Sequence, residues 1–296
     1  MRNILFGLIW SGFVFSASIA EVDQILKKHQ NVLTLSRRIE LFSKDFLGLP
    51  YGFGGPLGEG PQGRYDQDPL YRFDSFDCTT YVETVFSLSL AQTPNEFEFM
   101  MNKIRYEDGE IDYLKRNHFP SLQWIPFNVQ NGLLKEINHL IVPREEQKLA
   151  EATIDLPNWL THIKIEELKL PLLSESEKEV RLEELHGLHV FFTPQVAKLN
   201  YISIDTLVNN PKLLKKIPHG ALVNFVRPNW DLRETIGTHM NVSHQGLIFQ
   251  IRGKTWLRHA SSGGQKIVTD VLFLDYIEKY INHPTLKGVQ FMSLED

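Results

Sequence analysis

Cysteine is nearly absent from this chain of 296 residues, in which Cys78 is the single one. One cysteine excludes an internal disulfide. Basic residues are too few for a nucleic-acid binder, since 31 Lys and Arg stand against 36 Asp and Glu. The chain also has no HExxH pair of the zinc peptidases, no internal repeat or heptad array, and no hydrophobic span beyond its N-terminus. Its apolar content of 42% is ordinary for a globular protein with a real core.

Residues 1–20 have the pattern of a signal peptide. Arg2 is followed by an apolar run from Ile4 to Phe15, and then by small residues at the cleavage positions around Ala20. The run is shorter than the roughly 20 residues that span a bilayer, which disfavours the alternative of a retained N-terminal anchor. We therefore expect a mature chain of residues 21–296 that is periplasmic or secreted and has no integral membrane span.

The surroundings of Cys78 indicate a nucleophile at the start of a helix. Asp77 is a favoured N-cap residue, and Phe76 can pack against Tyr81 as a hydrophobic staple, so a helix is predicted over 78–90. The helix N-terminus would lower the pKa of the thiol and stabilise an oxyanion. A lone thiol in an oxidising compartment is a candidate reactive group. The alternative is that Cys78 is a small buried hydrophobe.

The order of the predicted elements indicates an α+β fold. Helices are expected over 22–46 and 78–90, with a loop rich in Gly and Pro between them at 48–69. We treat 95–199 as a large, mainly helical insertion in a single domain, with one helix over 175–185 that a capping box of Ser176 and Glu179 could start. The C-terminal third is strand-like at 221–226, 243–250, 255–260 and 289–294, with a helix over 271–281. Helices first and an antiparallel sheet last imply α+β architecture.

Two histidines of neighbouring strands can provide a base for Cys78. Gly253 allows a tight hairpin, and an even loop would place His244 and His259 on one face of the sheet. A cysteine nucleophile needs a base within hydrogen-bond reach and a third group that orients the base. We assign these roles to His244 and His259, and expect Gly246 to leave room for a substrate backbone. The alternative is that both histidines are ordinary surface or core residues.

Four segments together resemble the NlpC/P60 cysteine peptidases, and more closely their DUF1460 branch. The segments are PYGFGG at 50–55, DCTTYV at 77–82, SHQGLIF at 243–249 and RHASS at 258–262. The resemblance implies a papain-like core, catalysis by Cys78 with His244 and His259, and Tyr51 beside the nucleophile as a substrate-binding residue. The long loop before Cys78, and Gln245 in place of a small apolar residue, depart from the family pattern.

The resemblance also implies a substrate, which is peptidoglycan or its muropeptides. The DUF1460 branch cleaves the amide between N-acetylmuramic acid and L-alanine, with no metal or cofactor. Other members of the superfamily are γ-D-glutamyl-diamino acid endopeptidases, which use the same machinery. Two rivals are a noncatalytic wall-binding protein and a zinc hydrolase that uses His239, His244 and His259. Carboxylates of the substrate's peptide would need cations, for which the candidates are Arg64, Arg72, Arg227 and Arg233.

Overall fold

An eight-stranded antiparallel sheet forms the centre of residues 17–295, the part of the chain that the computed structural model describes. The strands are β1 (Leu134–Glu136), β2 (Lys148–Ile154), β3 (Gln195–Ser203), β4 (Ala221–Leu232), β5 (Thr238–Ile251), β6 (Lys254–Ala260), β7 (Val268–Leu272) and β8 (Gly288–Leu294). Their order is β2-β3-β8-β4-β5-β6-β7, and β1 pairs with β8. Every neighbouring pair is antiparallel.

Helices cover both faces of this sheet. They are α1 (Ile19–Lys28), α2 (Leu35–Asp45), α3 (Cys78–Leu90), α4 (Pro94–Arg105), α5 (Ile125–Gln130), α6 (Leu156–His162), α7 (Glu175–Gly187), α8 (Ile204–Asn209), α9 (Arg233–Ile236) and α10 (Phe273–Glu278). Together with the antiparallel sheet they confirm the predicted α+β class. No helix of residues 17–295 is both long enough and apolar enough to cross a membrane.

Alternation along the central strands creates two hydrophobic cores. On β5, Leu247 and Phe249 pack with the core that α1 to α4 share, whereas Ile248 packs with the core of α8 and α10. Helix α3 is buried along most of its length and packs against β5 and β6. A helix without a polar face is stable only in such a core, so the sequence of α3 fixes its central position.

The N-terminal part differs from the expected single helix over 22–46. Helices α1 and α2 are separate, because His29 ends the first and Thr34 is the N-cap of the second. The predicted signal peptide falls largely on residues 1–16, which lie outside the described residues. Within the described part, Ser18 caps α1 in a reciprocal capping box with Glu21, so the expected cleavage position lies in the first turn of α1.

The range 95–199 contributes both helices and strands. It contains β1, β2 and the first half of β3, and these strands belong to the same sheet as the C-terminal ones. The helix expected over 175–185 is α7, but its capping box is formed by Ser174 and Glu177. The assignment to Ser176 and Glu179 is therefore wrong by two residues, because the same Ser-x-x-Glu spacing occurs twice in succession.

The four strands predicted in the C-terminal third are present as β4, β5, β6 and β8. The helix expected over 271–281 is shorter, since α10 covers Phe273–Glu278 and the preceding residues form β7. Strand β7 pairs with β6 along its whole length, from Val268 opposite Ala260 to Leu272 opposite Trp256. This pairing provides hydrogen-bond partners that a helix from 271 would have removed.

Candidate active site

Cys78 is the first residue of α3, as predicted. The carboxylate of Asp77 accepts a hydrogen bond from the Thr80 backbone N–H at 2.7 Å, and the Asp77 N–H donates to the Thr80 hydroxyl at 3.0 Å. The rings of Phe76 and Tyr81 meet edge to face with 5.8 Å between their centroids. The cap and the hydrophobic staple are thus both confirmed, and together they fix the direction in which the chain enters the helix.

Buried polar groups hold α3 in place behind the cysteine. Glu83 accepts one hydrogen bond from Arg105 and one from the Trp124 indole, both at 3.0 Å. Arg38 donates to the carbonyl groups of Leu88 and Ser89 at the other end of the helix, at 3.0 and 2.7 Å. A guanidinium at a helix C-terminus satisfies carbonyls that have no partner in the helix. Sequence reasoning missed these roles, although a lone Glu in an apolar helix was a usable signal.

A two-residue turn brings the two histidines together. Ile251 pairs with Lys254, and the residues between them, Arg252 and Gly253, both have positive φ, as a type I′ hairpin requires. The loop is therefore even, and His244 and His259 lie on the same face. His244 Nε2 is 2.6 Å from His259 Nδ1. His259 is only 2% exposed, whereas His244 is half-buried.

Gly246 makes room for His259 and not for a substrate. A Cβ atom at Gly246 would be 3.0 Å from the Cβ of His259 and 2.7 Å from Cδ1 of Leu257. The expectation that this glycine leaves space for a substrate backbone is therefore wrong, since the opposite strand already fills that space. What the glycine allows is the close approach of β5 and β6 at the histidine pair.

The sulfur of Cys78 lies beside the same stretch of β5. The backbone of Gln245, the residue after His244, provides a hydrogen bond to Cys78. Tyr276 links the two parts further, because its ring is 5.3 Å from that of His259 and the charge of a Cys78 thiolate would raise its pKa. Among the described residues, the His244 ring has one hydrogen bond, which joins its Nε2 atom to His259 Nδ1. Its Nδ1 atom has no hydrogen-bond partner within residues 17–295.

All three groups are neutral at neutral pH. Burial lowers the pKa of His259 to about 4, and burial together with His259 holds the pKa of His244 well below its usual value. Burial, followed by the negative charge of Asp77, raises the pKa of the Cys78 thiol to about 12. The expected lowering by the helix N-terminus is wrong, since hydrogen bonds from Gln245, Thr79 and the cysteine backbone oppose these two effects without outweighing them.

Tyr51 lies between the start of α3 and the connection from β6 to β7, since its N–H donates to the Lys266 carbonyl at 2.7 Å. The Phe76 N–H donates to the Pro50 carbonyl at 3.1 Å, and the Gly52 N–H donates to the Phe76 carbonyl at 2.9 Å. This short ladder holds Tyr51 next to the residues that start α3. Burial raises the pKa of Tyr51, and the charges of Cys78 and Asp77 raise it further. The phenol therefore stays protonated and can donate a hydrogen bond.

A cavity of about 620 Å³ opens at the histidine pair. His244, His259 and Tyr276 line one part of it, and Arg227 and Trp230 line another. Of the four arginines proposed from the sequence, Arg227 is the one that reaches this space. The other three form ion pairs with carboxylates, namely Arg64 with Glu184, Arg72 with Asp74 and Arg233 with Asp231.

The histidines of the zinc alternative do not form a metal site. His239 Nε2 lies 3.8 Å from an oxygen of Asp231, while His244 and His259 bind each other. Within residues 17–295 no group of three or more His, Cys, Asp or Glu side chains is arranged to hold a metal ion.

The chain thus has an α+β fold, with a pocket that His244 and His259 line. The chain belongs to the AmiA-like, N-acetylmuramoyl-L-alanine amidase-like family, whose model matches residues 41–283. This membership supports a hydrolase of the cell wall. It is consistent with a secreted or periplasmic protein.

Solved structures show the same fold. A Legionella pneumophila str. Philadelphia 1 protein assigned to the family model DUF1460 is 36% identical, with 94% of each chain covered and a TM-score of 0.90. An N-acetylmuramoyl-L-alanine amidase from Bacteroides uniformis has a TM-score of 0.61 at 21% identity, over 88% of this chain and 99% of the amidase. No match was found among the curated proteins.

Proposed function

We propose that this protein is a cysteine-dependent N-acetylmuramoyl-L-alanine amidase of the NlpC/P60 type, with a papain-like core. It cleaves the amide between N-acetylmuramic acid and L-alanine in muropeptides. The observation that carries the proposal is the 2.6 Å contact between His244 Nε2 and His259 Nδ1 beside the N-terminal cysteine of α3. The family description supports the choice of amide bond over the γ-D-glutamyl bond of the related endopeptidases.

Proton transfer in this mechanism depends on the tautomer of His244. To accept the thiol proton, His244 must have an unprotonated Nδ1, so its proton resides on Nε2 and is donated to His259 Nδ1. His259 then carries its own proton on Nε2. The 2.6 Å contact accommodates this tautomer of His244, and in it His259 has the orienting role that the sequence assigns to it.

The reaction proceeds through a thioester. As the Cys78 sulfur attacks the carbonyl carbon of the scissile amide, its proton passes to His244, and His244 then protonates the departing amine of L-alanine. Water attacks the resulting thioester with His244 as the base, and releases the acid of the muramic lactoyl group. Because the thiol is neutral at rest, loss of its proton is coupled to attack.

Two donors are available for the oxyanion. The Cys78 backbone N–H lies at the N-terminus of α3, where peptide dipoles favour negative charge. The protonated hydroxyl of Tyr51 is the second donor that we assign, because its pKa is raised by burial and by the neighbouring Cys78. Removal of one such donor costs about 10²–10³ in kcat in well-studied hydrolases.

Mass spectrometry of the products from defined muropeptides tests the proposal. Free sugar with an intact peptide is the expected result, and peptides truncated to end in D-glutamate would instead indicate an endopeptidase. Cys78→Ala should abolish release, while His139→Gln, at an exposed histidine, should not change it. Iodoacetamide should inactivate the enzyme slowly, because burial favours the neutral thiol, and a chelator should not inactivate it. Full activity of Cys78→Ala would contradict the proposal.

We also propose a domain organisation and a cellular location for this protein. Residues 21–296 form a single catalytic domain with an insertion at 95–199, and residues 1–20 are removed on export. Fractionation of cells, followed by N-terminal sequencing of the exported protein, tests this directly. A chain that keeps its first 20 residues, or that stays in the cytoplasm, would contradict it.

A further inference from the structure

The arginine in the cavity differs from the other candidate cations because no carboxylate neutralises it. Arg64, Arg72 and Arg233 each have an acidic partner within 2.8 Å. Arg227 has none among the described residues. Charged groups that lose water without gaining a counter-charge destabilise the fold. Arg227 is half-buried, so its charge is partly desolvated and still open to a ligand in the cavity.

Several contacts fix the direction of the Arg227 side chain. Its guanidinium carbon lies 4.8 Å from the centroid of the Trp230 ring, and one terminal nitrogen donates to the hydroxyl of Thr285. Its Nε atom is buried and has no hydrogen-bond partner within residues 17–295. Burial lowers the pKa of Arg227 more than the neighbouring Tyr280 and Tyr276 raise it, yet arginine remains protonated at neutral pH. The Arg227 guanidinium is therefore positively charged, held in one direction, and has N–H groups that can still donate to a ligand.

Arg227 faces the same space as the proposed base. It follows Phe225 by two residues on β4, and Phe225 pairs with His244 across the sheet, with 5.4 Å between the two rings. Both Arg227 and His244 line the 620 Å³ cavity. In the proposed mechanism His244 protonates the departing amine, so the departing peptide lies on the His244 side of the sulfur. Because His244 lines the cavity, the departing peptide would enter this space.

We infer that Arg227 binds a free carboxylate of the departing peptide, and that the enzyme thereby selects acidic peptides over amidated ones. This inference rests on the proposed function. The planar guanidinium matches a carboxylate in shape and charge. In the proposed substrate the first free carboxylate belongs to the second residue of the peptide, roughly 7 Å from the scissile amide along an extended chain. That distance fits within the cavity.

The test compares two muropeptides that differ only in whether this second residue carries a carboxylate or a primary carboxamide. The wild-type enzyme should favour the acid in kcat/KM by about 10- to 100-fold, mainly through KM, as a charge-assisted hydrogen bond provides. Arg227→Gln should bring this preference close to one by losing activity on the acid alone. Arg227→Lys should retain part of the preference.

Two matched variants control for the loss of positive charge. Lys279→Gln removes an exposed cation that lines the same cavity, and Arg233→Gln removes a cation that is already paired with Asp231. Both should keep the preference for the acid. Equal loss on acid and amide in Arg227→Gln would make Arg227 a structural residue and overturn the inference. A wild-type enzyme that does not discriminate would overturn it as well.

Measuring peptide binding to the Cys78→Ala variant distinguishes a failure of this inference from a failure of the proposed function. If the wild-type protein hydrolyses neither muropeptide, the proposed function fails. Calorimetric titration of Cys78→Ala with the two muropeptides then decides the inference. Tighter binding of the acid peptide, lost on adding Arg227→Gln, would support the carboxylate site. Equal affinity of the two peptides would overturn it.

Discussion

Replacing Gly246 by alanine tests how closely strand packing and the histidine pair are connected. The new Cβ would lie 2.7 Å from Leu257 Cδ1, 3.0 Å from His259 Cβ and 3.1 Å from the Arg258 carbonyl oxygen. Carbon atoms in favourable contact are about 3.5–4.0 Å apart. The leucine methyl can rotate away, but the other two atoms move only if β6 moves. We therefore expect β6 to shift at His259.

The effect on stability follows from two opposing contributions. Excess volume in a packed core costs about 1–3 kcal/mol. Alanine also restricts the unfolded chain, which stabilises a compatible site by about 0.4–1 kcal/mol. The free energy of unfolding should therefore fall by about 0.5–2 kcal/mol. If the 2.6 Å contact between His244 and His259 is stretched as well, kcat should fall by up to about tenfold, the equivalent of one hydrogen bond.

Urea unfolding followed by tryptophan fluorescence, together with muropeptide kinetics, measures both effects. The control is Gly187→Ala at the end of α7, where no atom lies within 4 Å of the added Cβ and the backbone is helical, with φ of -58°. That variant should gain about 0.4–1 kcal/mol and keep full activity. If Gly246→Ala matched the control in stability and in kcat, the argument that this glycine serves His259 would be refuted.

Three further results are expected. Glu83→Ala should lower the free energy of unfolding by about 3–5 kcal/mol, because it leaves Arg105 buried without its partner. The control, Asp23→Ala, breaks an exposed pair with Lys27 and should change the free energy of unfolding by less than about 1 kcal/mol. The free energy of unfolding should fall as the pH drops from about 6.5 to about 4, because the unfolded chain protonates His118, His244 and His259 whereas the folded chain does not. Each of these histidines contributes up to about 1.4 kcal/mol per pH unit. His259→Asn should reduce this slope by the contribution of one histidine, and a slope that is unchanged would contradict the assignment. In kinetics, His259→Ala should lower kcat by about 10- to 100-fold and His259→Asn by less, since an amide oxygen can still accept the proton of His244; equal losses would argue against an orienting role.

The features that were predictable from the sequence are those encoded within a few residues. Asp77 and Thr80 form their capping box inside one turn, and Phe76 meets Tyr81 across the same turn. The hairpin at Gly253 needs positive φ that glycine adopts readily. Each of these depends on local geometry, so the order of residues is sufficient to predict it.

Strands in the middle of the chain were not predictable in this way. Strand β2 contains Ala, Lys and Glu, which favour helices in isolation, and it is extended because it pairs with β3 from Lys148 to Ile154. Strand β7 runs directly into α10, and only its pairing with β6 separates the two. In both cases a partner distant in sequence outweighs local preference.

The electrostatic state of the site also depends on contacts between residues that are distant in sequence. The position of Cys78 at a helix start predicts a lowered pKa, but the helix is packed against β5 and β6, and burial of the thiol outweighs the helix dipole. The role of Arg227 was likewise open among four arginines. It became distinct only when the other three were seen to have acidic partners.

A resting site made of neutral groups changes what the protein has to stabilise. In the proposed mechanism, attack by Cys78 creates negative charge near the sulfur and positive charge on His244, so the two charges arise together and attract each other at short range. The hydrogen-bond partner of the His244 ring is His259 and not a carboxylate, and the nearby Asp270 is held by Arg258 at 2.6 Å. A paired Asp270 stabilises the imidazolium less than a free one would. If the proposed mechanism holds, oxyanion stabilisation by the start of α3 and by Tyr51 has to supply a larger share of the rate than in an enzyme with an acidic third residue.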